Sequence, residues 1–256
     1  MSGRGMFATS LLVIVAACGE PFTAAEPGAD ASLAPPVLGD LLLWLRADVG
    51  VTETNGTVST WADQSGHQSD AVQTNRTNQP KLGSRGPSSR SAVVFDTDDF
   101  MSLPAGFNDF SHGISMFAVF DTDTTLSCVD ALDFSNGPEI DDITIGRHDG
   151  HVHYEVADVA FPGDDLPLGT PALASVVHET DATVQLRLNS APFTVANVEL
   201  PASVTRLSNV VGRSLYADCG SLNGGLWEAL VYSRALTLEE RALVESYLQT
   251  RWACCK

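Results

Sequence analysis

Two short runs constrain this chain more than anything else in it: Ile114 to Phe120 (ISMFAVF) and Leu226 to Tyr232 (LWEALVY) are apolar at nearly every position. That pattern belongs to strands covered on both faces, in the middle of a sandwich. Thr183 to Asn189 shows the complementary pattern. Val184, Leu186 and Leu188 face one way while Thr183, Gln185, Arg187 and Asn189 face water, as in a half-buried strand. Near the end Thr237 and Glu240 form a capping box, with Leu243, Val244, Tyr247, Leu248 and Trp252 recurring at helical spacing behind it. One terminal helix packed on the sheets is expected. An apolar fraction of 44% with 18% charged residues can bury a sizeable core, while 21 Gly and 13 Pro interrupt the chain too often for a helical bundle.

The charge narrows the partners. With 32 Asp+Glu against 14 Lys+Arg the formal net charge is −18, a field that repels phosphate backbones and anionic lipid headgroups. Nucleic acid is excluded as a partner, and Ca²⁺, which takes oxygen ligands, is the cation such a surface suits.

The amino-terminal segment reads as an address. Met1 to Met6 is short and carries Arg4, Phe7 to Ala17 is uncharged and too short to span a membrane, and Cys18 follows Val15-Ala16-Ala17. This arrangement resembles a bacterial lipobox, which implies residues 1–17 as a lipoprotein signal peptide and Cys18 as the acylated new amino terminus. The alternative is an ordinary signal ending in Ala-x-Ala. Gly19 after the Cys, in place of the Asp of inner-membrane retention, implies an outer-membrane lipoprotein, periplasmic or surface-exposed. Residues 18–36 form a flexible linker of Ala, Pro, Gly, Ser and acids without apolar periodicity. Residues 37–252 are one domain of short strands and turns, and residues 253–256 a Cys-containing tail.

Four blocks then carry a resemblance: LLLWLRADVGV at 41–51, STWADQSGHQSDAVQ at 59–73, SAVVFDTDDFMSL at 91–103 and GGLWEALVYSRALTLEERALVESYLQTRW at 224–252. In order and across nearly the whole mature chain, they resemble a laminin-G-like, concanavalin A-like domain of bacterial surface proteins. The resemblance implies an all-β, two-sheet antiparallel jelly-roll sandwich with the C-terminal helix. Faces or rim loops of that family bind glycans or protein partners, sometimes with a structural Ca²⁺. Fold alone does not select among lectin, glycosidase, adhesion module and spacer. Laminarinase-like relatives carry Glu-x-Asp-x-x-Glu or Glu-x-Asp-x-Glu, because a retaining glycosidase needs two carboxylates about 5 Å apart. Here Glu139-Ile140-Asp141-Asp142-Ile143-Thr144 lacks the second Glu, so the chain is expected not to be an enzyme, and the motif reads as an acidic turn leading into a strand.

For cation ligands, Asp63-Gln64-Ser65-Gly66 sits where a loop of the family often lies near a cation, and Asp96, Asp98 and Asp99 crowd a second loop. Asp63 reads either as a Ca²⁺ ligand or as the side chain of an Asx turn. Glu228 lies where relatives commonly have an acid, and reads either as a second Ca²⁺ ligand or as a strand residue satisfied by Arg234. Three His give a different possibility. Asp149-Gly150 predicts a two-residue hairpin pairing His148 with His151, Gly146 with His153 and Thr144 with Glu155, with Ile143, Ile145, Val152, Tyr154 and Val156 facing the core. His148, His151 and His153 then share a polar face with Glu155. That face reads as a Zn²⁺ or Cu²⁺ site, a solvated patch without metal, or a ligand surface.

Cys128, Cys219, Cys254 and Cys255 are the disulfide candidates, with three connectivities open. The adjacent pair is expected to split between partners, one of the two reaching Cys219 or Cys128. The function expected is a lipid-anchored, extracytoplasmic, non-catalytic module recognising an extracellular glycan or protein surface, with the membrane touched through the lipid anchor only. The alternatives are a structural spacer or assembly subunit of the cell envelope and a degenerate glycosidase. The chain is only 7% aromatic, which leaves few residues for stacking against sugar.

Overall fold

The computed structural model describes residues 34–86, 90–191, 194–195 and 198–255. These belong to the unit Ala31–Lys256, and the expected signal peptide, Cys18 and most of the expected linker lie outside the described residues. In chain order the strands are β1 (Leu41–Arg46), β2 (Val51–Thr54), β3 (Thr57–Trp61), β4 (Ala71–Val72), β5 (Lys81–Ser84), β6 (Ser91–Phe95), β7 (Met101–Leu103), β8 (Ile114–Phe120) and β9 (Cys128–Phe134). They continue as β10 (Ile143–His148), β11 (His151–Val156), β12 (Val159–Asp165), β13 (Ala172–His178), β14 (Val184–Leu188), β15 (Thr194–Val195), β16 (Asn209–Val211) and β17 (Gly224–Tyr232), followed by helix α1 (Leu238–Trp252). No helix among the described residues is long and apolar enough to cross a membrane.

The strands form a two-sheet antiparallel β-sandwich. One sheet runs β15-β14-β13-β8-β17-β6-β5, with β1 also paired to β17, and the other runs β12-β11-β10-β9-β16-β7-β4-β3-β2. The main core lies between the sheets and includes Trp61, Phe120, Leu132, Tyr154 and Val231. A second apolar layer joins α1 to the opposite face of the first sheet, through Phe117, Trp227, Tyr232, Val244, Leu248 and Trp252. This double covering is why β8 and β17 are apolar at nearly every position: they are neighbours at the centre of that sheet, buried at every position.

The capping box of α1 is formed, with Thr237 Oγ1 accepting from the Glu240 amide and Glu240 Oε2 accepting from the Thr237 amide. One residue of the expected apolar stripe departs. Leu243 is half exposed, because Val244, Tyr247, Leu248 and Trp252 suffice to cover the sheet. The tail is likewise part of the fold: Cys254 and Cys255 are buried in the layer beneath the helix.

The cysteine pairing differs from the expectation. Cys128 bonds to Cys219, and Cys254 closes on its neighbour Cys255. The reason is placement. Cys128 opens β9 in the second sheet, whereas Cys254 and Cys255 pack with α1 against the outer face of the first sheet, with Cys255 Sγ directed at the Pro171 carbonyl. Neither terminal thiol reaches across the sandwich.

Candidate functional site

The His-containing hairpin folds in the register its turn dictates. His148 pairs with His151, Gly146 with His153 and Thr144 with Glu155, around Asp149 and Gly150 at φ 48° and 95°. Ile143, Ile145, Val152, Tyr154 and Val156 are buried in the main core, so the alternate residues line the outer face of the sheet. On β9 the pairing jumps from Leu132↔Ile145 to Asp130↔Gly146. This bulge turns Asp130 and Asp133, three apart in sequence, to the same outer face. Gly146 is required there, since a Cβ would collide with the Val129 carbonyl and the Asp130 backbone.

Over this face lies the loop after β16, tied down by the Cys128–Cys219 disulfide and by the Leu215 amide, which donates to Asp133 Oδ2 (2.8 Å). Between loop and sheet is a cleft of about 560 Å³, whose lining includes Asp130, Thr144, His148, His153, Glu155, Asp158 and Tyr216, and contains no Lys or Arg. A second hollow of about 380 Å³ shares His148, His153 and Ala160 with it and extends over the hairpin to His151.

Three carboxylates converge on one phenol. Tyr216 Oη lies 2.6 Å from Glu155 Oε1, 2.9 Å from Asp158 Oδ1 and 3.1 Å from Asp142 Oδ2. Asp158 reaches the cluster because Ala157 and Asp158, both left-handed, turn β11 back into β12, and the Ala157 amide donates to the Asp142 carbonyl. Burial raises Asp142 and Glu155 above the ordinary carboxylate range, partly offset by the Tyr216 hydroxyl, and burial together with the Asp130 charge pushes Asp133 up to about 8. Burial and these carboxylates also raise Tyr216, so its phenol holds its proton.

The imidazoles share the face without gathering into a metal centre. His151 Nδ1 pairs with Asp165 Oδ1 (3.0 Å), and His148 stacks edge-on against His153 at 5.6 Å between ring centroids. His153 Nε2 lies 3.1 Å from both Thr144 Oγ1 and Asp130 Oδ1. Glu155 turns instead to Tyr216. Among the described residues, the group of three or more His, Cys, Asp and Glu side chains whose ligand atoms all come together within 4.8 Å is Asp142, Glu155 and Asp158, not the expected set of His148, His151, His153 and Glu155.

The expected Ca²⁺ ligands lie elsewhere and are already engaged. Asp63 closes its own turn: Oδ1 accepts from the Trp44 and Ser65 amides, and Oδ2 from Ser65 Oγ and the Ser69 amide. Glu228 is completely buried, and accepts from Trp44 Nε1 (2.6 Å), Tyr247 Oη (2.9 Å) and Trp252 Nε1 (2.7 Å). Arg234 does not reach it, pairing with Asp40 and Glu240. Asp99 accepts from the Asp96 amide, Asp96 pairs with Lys81, and Asp98 is held through its carbonyl by Asn78.

Asp130, Asp133, Asp142, Asp158 and Tyr216 were not legible as a site in the sequence. One signal was present: acids inside CVDALDF interrupt an otherwise apolar strand.

No protein-family model matches this chain, and no curated protein does. Among solved structures, a Trypanosoma rangeli sialidase in complex with sialic acid aligns at TM-score 0.56 and 16% identity over 88% of this chain, which spans 37% of that protein. Domain 4 of AbnA, an extracellular GH43 arabinanase from Geobacillus stearothermophilus, in complex with arabinotriose, aligns at TM-score 0.57 and 14% identity over 80% of this chain and 98% of that domain. The binding domain of Paraclostridial Mosquitocidal Protein 1 aligns at 0.56 and 10% identity over 82% of this chain and 52% of its own length. At these identities the likeness is one of fold alone, a β-sandwich.

Proposed function

We propose that the chain is a non-catalytic, extracytoplasmic binding module that recognises a glycan in the cleft over β9–β12, and that it is a laminin-G-like surface lipoprotein anchored through Cys18. The observation that carries this reading is the cleft's lining of carboxylate, imidazole and hydroxyl groups with no cationic side chain. Carboxylates accept hydrogen bonds from sugar hydroxyls, and the ligand that fits is neutral or cationic, since acids at this density repel an anionic sugar. The arabinotriose complex of the arabinanase domain supports the ligand class by likeness of fold. The Cys128–Cys219 disulfide supports an oxidising compartment.

Carboxylate spacing favours a second reading. Oxygens of Asp142, Glu155 and Asp158 within 4.8 Å approach the separation of about 5 Å used by retaining glycosidases. Against it, the Tyr216 hydroxyl stands between those oxygens, in the place a glycosidic oxygen needs, and its raised pKa makes the phenol a poor nucleophile.

A glycan array probed with the protein, with and without Ca²⁺, tests the first reading. Retention of a neutral glycan that is lost in Tyr216→Phe and His153→Ala is expected. Folded protein that retains no glycan in either condition would leave the envelope spacer. Release of reducing sugar from a bound glycan, abolished in Glu155→Gln, would establish the glycosidase.

A further inference from the structure

The cleft holds more carboxylate than its donors satisfy. A phenol has one hydrogen to give, so Tyr216 serves one of Asp142, Glu155 and Asp158 and turns oxygen lone pairs toward the others. A separate observation concerns the residues beneath. Asp133 and Asp142 are each 1% exposed, yet Oδ1 of each has no hydrogen-bond partner. Asp133 lies outside the triad, across Thr144 from Glu155 in the strand register, and its Oδ2 takes the amide immediately before Tyr216. Buried acceptors without donors are costly unless a proton or a cation neutralises them, and the lining supplies no Lys or Arg.

The geometry points to a divalent cation site of the Ca²⁺ class, with Asp142, Glu155 and Asp158 as carboxylate ligands and the Tyr216 phenol oxygen as a neutral donor. The donor set is all oxygen, the chemistry of Ca²⁺, and contains neither thiolate nor imidazole, the ligands that select Zn²⁺ or Cu²⁺. Asp158 is exposed at its turn, which leaves the ion open to water for the rest of its six to eight ligands. By binding both the sheet and Tyr216, the ion clips the loop over the cleft. The site stands on its own geometry and does not depend on the ligand being a glycan.

Calorimetric titration of CaCl₂ into the chelator-stripped whole chain tests it, with Ca²⁺-dependent melting alongside. Expected are saturable single-site binding and a rise in Tm for the wild type, with affinity reduced at least tenfold in Asp158→Asn. That variant retains the fold, because the side chain is exposed and Asn tolerates the left-handed backbone at φ 63°. Asp63→Asn should bind as the wild type does. The site is overturned if the wild type gives neither heat nor a Tm shift at millimolar Ca²⁺, if Asp158→Asn binds with unchanged affinity, or if binding is lost in Asp63→Asn instead.

Discussion

Tyr216 Oη stands 2.6 Å from Glu155 Oε1, joining the loop after β16 to the outer face of β11 across 61 positions of sequence. The contact makes the loop a wall of the cleft, and removing it separates the loop's contribution to stability from that of the sheet. Tyr216→Phe keeps the ring and deletes the hydroxyl shared by three carboxylates. In chelator it should lower the free energy of unfolding by about 1–3 kcal/mol, measured by urea denaturation.

The Cys128–Cys219 bond closes a segment of 91 positions and holds the same loop at its far end. Cys128→Ser/Cys219→Ser should lower stability by about 3–5 kcal/mol, as removal of a long-loop crosslink does. Non-reducing peptide mapping of the wild type should recover one peptide pair joining Cys128 to Cys219 and one peptide containing both Cys254 and Cys255.

Glu228 accepts from two indoles and a phenol in a site without water access, and burial raises its pKa despite those donors. Glu228→Gln sets an amide NH₂ against one of two indole N–H groups, which only donate, so it should destabilise by about 2–4 kcal/mol. The measurement is Tm and urea midpoint. A wild-type midpoint would show that Trp44, Tyr247 and Trp252 find other acceptors.

Asp133 gives the pH dependence a sign. Its pKa rises from 3.8 to about 8 on folding, so between those values the native state holds a proton that the unfolded chain has released. Stability from this group is therefore greatest at low pH and is lost as pH rises toward about 8, at no more than about 1.4 kcal/mol per pH unit. In chelator, the urea-derived stability of the wild type minus that of Asp133→Asn should decline between about pH 5 and about pH 8. A difference that is flat or rises with pH would contradict the burial of this carboxylate.

Local pattern determined a good deal of this protein. The Asp149-Gly150 turn set the register of β10 and β11, and hence which side chains face the cleft, because a two-residue turn leaves one pairing that buries Ile143, Ile145, Val152, Tyr154 and Val156 together. The capping box and the apolar runs of β8 and β17 were equally legible, since each depends on neighbours in sequence or on burial of a whole strand. The site itself was decided by the tertiary structure. Asp142, Glu155, Asp158 and Tyr216 meet only once a left-handed turn and a disulfide-tethered loop bring separate segments together, and no periodicity encodes that meeting. The same holds for Glu228, which reads in sequence either as a cation ligand or as a partner of Arg234 and becomes the acceptor of Trp44, Tyr247 and Trp252 because β1 and α1 pack on β17. A buried polar side chain takes its role from whichever donors packing places beside it, and those lie 184, 19 and 24 positions away.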